Sequence, residues 1–180
     1  MIKKIEISFK KQIFMKTIGA YLGKTKSGYC EIVLPFNKKI TQQHGLVHGG
    51  ILSTIADNAC AFAAFSLMKD TFQPLTIEFK INFLTQQDCN YLIAKGIVLR
   101  AGKSITHTKS EIYSVLKKKE TLISFSTATI KSTKIIKELW NFSLIYILLC
   151  HKKYSYYSYF ILDINWIMKQ MIFKLNITNR

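Results

Sequence analysis

Thr41–Gly50, TQQHGLVHGG, runs without a break into residues 51–68, ILSTIADNACAFAAFSLM. A polar, glycine-rich turn thus delivers the backbone into an apolar stretch long enough for five turns of helix. Five alanines, at 56, 59, 61, 63 and 64, favour helix and allow close packing. Ile51, Leu52, Ile55, Cys60, Phe62, Phe65, Leu67 and Met68 add too much apolar surface for one face, so the spacing predicts a helix enclosed by other structure. One acid, Asp57, interrupts it. A carboxylate inside such a helix carries a desolvation cost unless it has a partner or a task.

The residues around this helix predict strands. Tyr29 to Leu34 is rich in β-formers and follows the turn signal Lys26-Ser27-Gly28. Leu75 to Leu84 alternates apolar and polar, as a half-buried strand does. Tyr91–Arg100, Ile105–Leu116 and Thr121–Lys131 follow, separated by the turns 101–103 and 117–119. The expectation is five strands, the last three joined by short turns into a meander, with the long helix on one face: an α+β layer architecture. Ahead of them, residues 1–14 form a short amphipathic arm, and Phe14 to Leu22 a helix ending near Gly19 or Gly23.

The chain of 180 residues is long enough for one domain with a real core, and 49% hydrophobic residues suit a globular protein. A net charge of +16 suggests an anionic partner. The excess, however, is scattered lysine, with no basic helix or RNA-binding signature, so no nucleic acid is expected. Cys30, Cys60, Cys89 and Cys150 form no C-x-x-C pair, as in a reduced cytoplasmic protein. The opening MIKKIEISFKKQIF has no apolar signal core, so no secretory peptide is expected. From about Thr133 the character changes: no glycine or proline, and apolar runs broken by His151-Lys152-Lys153 and Asp163. The twelve residues Leu139–Cys150 fall short of the roughly 20 a spanning helix needs. The boundaries expected are a domain over 1–132 and an extension over 133–180, helical if ordered. Membrane association of that extension has no support beyond its composition.

Chemistry can be placed at three points. Gly49 and Gly50 at a helix start can leave N–H groups aimed at a ligand, where the helix dipole adds partial positive charge. For the pair alone, a tight turn with glycines at positive φ is the plainer reading. His44 and His48 have metal-ligand spacing for a helix, but Gly45 and Gly49-Gly50 argue against helix there and no third ligand is evident, so no metal is expected. Cys60, without a nearby His, reads as buried packing. Phe62 and Phe65 could line a pocket, although core is the commoner fate of such residues. Gly49 and Asp57 are eight residues apart, about 12 Å along one helix. Within a single helix they cannot reach one reacting carbonyl. If they cooperate, two copies of the chain must meet in a symmetric homodimer with two composite sites.

These segments, in this order, resemble the PaaI-type acyl-CoA thioesterases of the hotdog fold. TQQHGLVHGGILSTIADNACAFAA looks like that family's central motif; LTIEFKINFL, LIAKGIVLRAGKSITHTKSEIYS and LISFSTATIK sit in its order and spacing. The resemblance spans about residues 10–132 and excludes the tail. It implies a sheet wrapped round a central helix, dimers with a continuous sheet that often pair into tetramers, and metal-free hydrolysis of a thioester to a free acid and coenzyme A, itself part of the substrate. By position it implies that Asp57 is the nucleophile or the general base. The Gly49 N–H would polarise the carbonyl, His48 and Gln42 would orient it, and Gly50 would border the substrate. Many relatives carry Asn where this chain has Gln42. Thr76 matches a hydroxyl that helps place water or substrate. Arg100, Gly102, Lys103, Ser104 and Lys131 fall where coenzyme A phosphates are held. The alternatives are a hotdog dehydratase or hydratase, whose acid–base pair should lie on the segment entering the helix, and a non-catalytic acyl-CoA or lipid-binding module.

Overall fold

The computed structural model describes residues 2–85 and 88–135. The extension expected over 133–180 lies outside the described residues apart from its first three. Two short helices open the chain, α1 (Ile2–Lys10) and α2 (Ile13–Ile18). Gly19, at φ 81°, stops α2, with its N–H on the Lys16 carbonyl and that of Ala20 on Met15. Strands β1 (Tyr21–Lys26) and β2 (Tyr29–Pro35) follow, then a single 3-10 turn (Lys38–Ile40) and the long helix α3 (Gly49–Phe65). The chain continues through β3 (Phe72–Phe83), β4 (Tyr91–Ala101), β5 (Ile105–Leu116) and β6 (Lys119–Lys134).

The six strands form one antiparallel sheet in the order β1-β2-β4-β5-β6-β3. This is the α+β hotdog architecture, a sheet curled around one helix. One detail differs from the sequence expectation: a sixth strand, β1, lies on one edge. The meander β4-β5-β6 is as expected, and β3 lies at the far edge paired with β6, from Phe72 opposite Lys134 to Phe83 opposite Ser124. Pro74 lies within β3, where an edge strand tolerates its missing N–H. The β5–β6 hairpin turns through Lys117 and Lys118, both at positive φ (49° and 68°), the geometry of a two-residue type I′ turn.

The core lies between α3 and the concave face of the sheet. Leu52, Ile55, Ala56, Ala59 and Ala63 pack against Ile32, Leu34, Leu92, Ala94 and Ile112. The helix comes very close over β4. A Cβ placed on Gly96 would stand 2.1 Å from the Ala59 carbonyl oxygen. On β5 and β6 the same face is small and polar, with Thr108, Ser110, Ser126 and Ala128 buried beside Cys60 and Ala64. Small residues on both sides are what permit the contact. At the other end, α1 buries Ile5 and Phe9, and Phe9 meets Phe62 with ring centroids 5.7 Å apart. Lys4 donates to the Met68 carbonyl and lies over the Phe65 ring. Phe62 and Phe65 are thus buried in the core, Phe62 against Phe9 of α1.

Among the described residues α3 is not fully enclosed. A stripe at helical spacing, Gly50, Ser53, Thr54, Asp57, Asn58 and Ala61, stays at least partly open. Among the described residues no helix is long and apolar enough to cross a membrane.

Candidate active site

The turn ahead of α3 is a small hairpin. Thr41 bridges Val47, the Gln42 N–H donates to the Leu46 carbonyl at 2.8 Å, and Gly45, at φ 80°, makes the reversal. It sets His48 as the N-cap of α3. The cap is the imidazole itself: Nδ1 accepts from the Gly50 N–H at 2.9 Å. Accepting there leaves the ring's proton on Nε2, as an outward donor. Helix geometry is absent before Gly49, so His44 and His48 do not share a helical face. The glycines are needed for space, not for φ, since neither has positive φ. A Cβ on Gly50 would be 3.0 Å from His48 Nδ1, and one on Gly49 would be 3.2 Å from the Phe83 ring. The Gly49 N–H has no acceptor among the described residues, as the first turn of a helix leaves its donors free.

Two turns on, the Thr76 hydroxyl donates to Asp57 Oδ1 at 2.7 Å. Burial pushes the Asp57 carboxyl above its usual range, and the Thr76 hydrogen bond opposes this. Thr76 reaches the helix because it points inward from β3, just before a bulge. Thr76 pairs with Ile130 and Glu78 with Thr129, leaving Ile77 unpaired on β6. The bulge flips the alternation, so Thr76 before it and Phe79, Ile81 and Phe83 after it share the concave face.

The basic candidates gather at one end of the sheet. Arg100 is near the end of β4, and Gly102, Lys103 and Ser104 form the exposed turn to β5. The Gly102 N–H donates to the Ile105 carbonyl at 2.8 Å, and a Cβ there would meet the same oxygen at 2.7 Å. The Ser132 N–H donates to the Ser104 carbonyl, which draws the turn towards Lys131 on β6. Register connects this end to the carboxylate: Thr76, Ile130, Thr106 and Ala101 are successive cross-strand neighbours. The structure thus groups Asp57 with Thr76, groups Arg100, Gly102, Lys103, Ser104 and Lys131 within the same end, and keeps Gln42, His48, Gly49 and Gly50 together at the far end of the helix's open stripe. Phe83, half exposed against Gly49, is an addition that sequence reasoning did not single out. Its place in the alternation of β3 was visible, but its contact across 34 residues was not.

A sheet curled round one helix, with a glycine-ended turn and an in-helix carboxylate, defines the hotdog class of thioesterases. The thioesterase superfamily model matches residues 44–117, from this turn through β5. A thioesterase family protein of Silicibacter pomeroyi is 35% identical, with a TM-score of 0.73 over 74% of this chain and 98% of its own. A candidate esterase of Saccharolobus solfataricus is 33% identical over 106 residues, 58% of this chain and 74% of its own. The Escherichia coli PaaI protein, from the phenylacetic acid degradation operon, shares the fold at 20% identity, with a TM-score of 0.62 over 72% of this chain and 88% of its own. The chain belongs to the thioesterase superfamily and has its hotdog fold.

Proposed function

We propose that this protein hydrolyses an acyl-CoA thioester to a free acid and coenzyme A, as a cytoplasmic homodimer that pairs further into a tetramer. The observation that carries the reading is the Asp57–Thr76 pair on the open stripe of α3. A half-buried carboxylate held in place by a hydroxyl can attack the thioester carbonyl, or draw the proton from an attacking water. The Gly49 N–H polarises the carbonyl, the His48 Nε2–H and the Gln42 amide orient it, and Gly50 shapes the turn by admitting the His48 ring. Arg100, Lys103 and Lys131, with the Gly102-Ser104 turn, meet the phosphates of coenzyme A. The reading assigns no metal or other cofactor. Free Cys30, Cys60 and Cys89 are in keeping with a reducing compartment.

The dimer follows from the separation of the two halves. Gly49 and Asp57 stand about 12 Å apart along α3. Each half leaves a mark on β3, Thr76 for the carboxylate and Phe83 for the turn, and β3 is an edge strand twelve residues long with one side unpaired among the described residues. Two β3 edges paired antiparallel about a two-fold at Lys80 would set Phe79 opposite Ile81 of the second copy, and the bulge at Ile77 would bring Thr76 opposite Phe83. Directly opposed residues must share a face, and Thr76 and Phe83 both face the helix. One copy's turn then completes the other copy's carboxylate.

The test is thiol release from a panel of acyl-CoA esters by the full chain and by Asp57→Asn. The expected loss is about 10²–10⁴-fold. Unchanged hydrolysis in Asp57→Asn would refute the assignment, and acyl-CoA binding without thiol release would identify a binding module instead.

A further inference from the structure

We propose that Phe83 sets acyl specificity by limiting bulk at the carbon next to the thioester carbonyl; this rests on the hydrolytic reading above. Phe83 ends β3 with its ring on the concave side. The tip of the ring lies against the first residue of α3: a Cβ on Gly49 would be 3.2 Å from Cζ, and 3.6 and 3.7 Å from the two Cε atoms. Within a single chain Phe83 is nevertheless 49% exposed. Phe9, Phe62 and Phe65 of α1 and α3 are instead buried in the core. Phe83 is thus an apolar wall left open beside the N–H group assigned to the carbonyl.

Simple geometry gives the consequence. A carbonyl oxygen accepting from the Gly49 N–H lies about 2.9 Å from that nitrogen. The next acyl carbon is only two covalent bonds further on. A substituent on that carbon is therefore within van der Waals reach of a ring that already touches Gly49. A straight acyl chain can leave along the ring, whereas a chain branched at this carbon meets it. In the proposed dimer Phe83 also faces Thr76 of the second copy, so the ring borders both halves of the site. One methyl group in an apolar site changes discrimination by roughly tenfold or more.

The experiment compares butyryl-CoA with isobutyryl-CoA, two esters of equal carbon count, in the parent, Phe83→Ala and Phe83→Leu. The parent should prefer the straight ester in kcat/KM by roughly tenfold. Phe83→Ala should bring the ratio close to one, chiefly through faster turnover of the branched ester, and Phe83→Leu should fall between. A ratio unchanged within about twofold in both variants, with butyryl-CoA still hydrolysed, overturns the role of Phe83 and leaves hydrolysis standing. A parent without the straight-chain preference overturns it equally. If the parent releases no thiol from these two esters or from any other of the acyl-CoA panel, the hydrolytic reading fails. The same ratio is then taken from dissociation constants of the two non-hydrolysable analogues in which methylene replaces sulfur. An unchanged ratio there also overturns the role of Phe83.

Discussion

At the scale of single residues, Asp57 and Thr76 act as a pair. Burial raises the Asp57 carboxyl, and the Thr76 hydroxyl, bonded to Oδ1 at 2.7 Å, partly offsets this. Both roles open to Asp57 need the ionised form, so activity should fall as pH drops through its pKa. Because that pKa is raised, the acid limb should lie above the ordinary aspartate range. Thr76→Val removes a hydrogen bond that favours the charged form, so the limb should move to still higher pH. Thr76→Ser should return it. The pH profile of kcat/KM measures this, and a limb unmoved in Thr76→Val would show that the bond has no electrostatic role. The sequence pointed to both residues but not to their contact. For Gly49 and Gly50 it showed where glycine stands but not why. Positive φ belongs to Gly45 in the hairpin, while the other two make room for rings. A requirement for space depends on what arrives from elsewhere in the chain.

At the scale of elements, the site depends on how closely α3 approaches the sheet. Gly96 sits in YLIAKGIVLR, which reads as an ordinary strand with a glycine inside it. In the fold, its missing side chain is where the Ala59 backbone passes. Gly96→Ala has no flexible neighbour to displace and must push the helix itself. The expected cost is about 3 kcal/mol, at the upper end for overpacking, or a fall of roughly 10 °C in thermal midpoint. Activity should fall with it, because Asp57 rides on the same helix. Calorimetric melts decide the matter, and a midpoint within about 2 °C of the parent's would contradict so close a contact. Of the elements, α3 and the strands from Leu75 onward were legible because their periodicity reflects burial on one face. β1 was not, since YLGKTK is an exposed edge without an apolar rhythm. The crossing of β3 to β6 was not legible either, because pairing over some fifty residues leaves no local trace.

At the scale of the whole molecule, the proposed site is divided between the two ends of α3, and β3 is an edge strand whose outer side is unpaired among the described residues. An unpaired strand as long as β3 invites association, and natural sheets cover such edges or blunt them. Here Leu75 and Ile77 remain exposed beside the free edge, and Phe83 and Leu84 at its end. A two-fold at Lys80 answers both problems, pairing the edges and uniting each carboxylate with a turn. It makes a sharp geometric demand. Near the axis a residue lies opposite its own copy, close enough for a disulfide, which needs Cα atoms about 4.4–6.8 Å apart. Away from the axis the same residue is far from its copy. Lys80 is exposed on β3, whereas Cys30, Cys60 and Cys89 are buried. Under mild oxidation Lys80→Cys should therefore give a covalent dimer that keeps its hydrolytic activity. Lys24→Cys, on the opposite edge strand β1, should not, and the parent serves as control for Cys150. Non-reducing gels with a thiol-release assay read both outcomes. Crosslinking through Lys24→Cys alone would move the dimer to β1, and the composite site, with Thr76 beside Phe83 of the second copy, would fall with it.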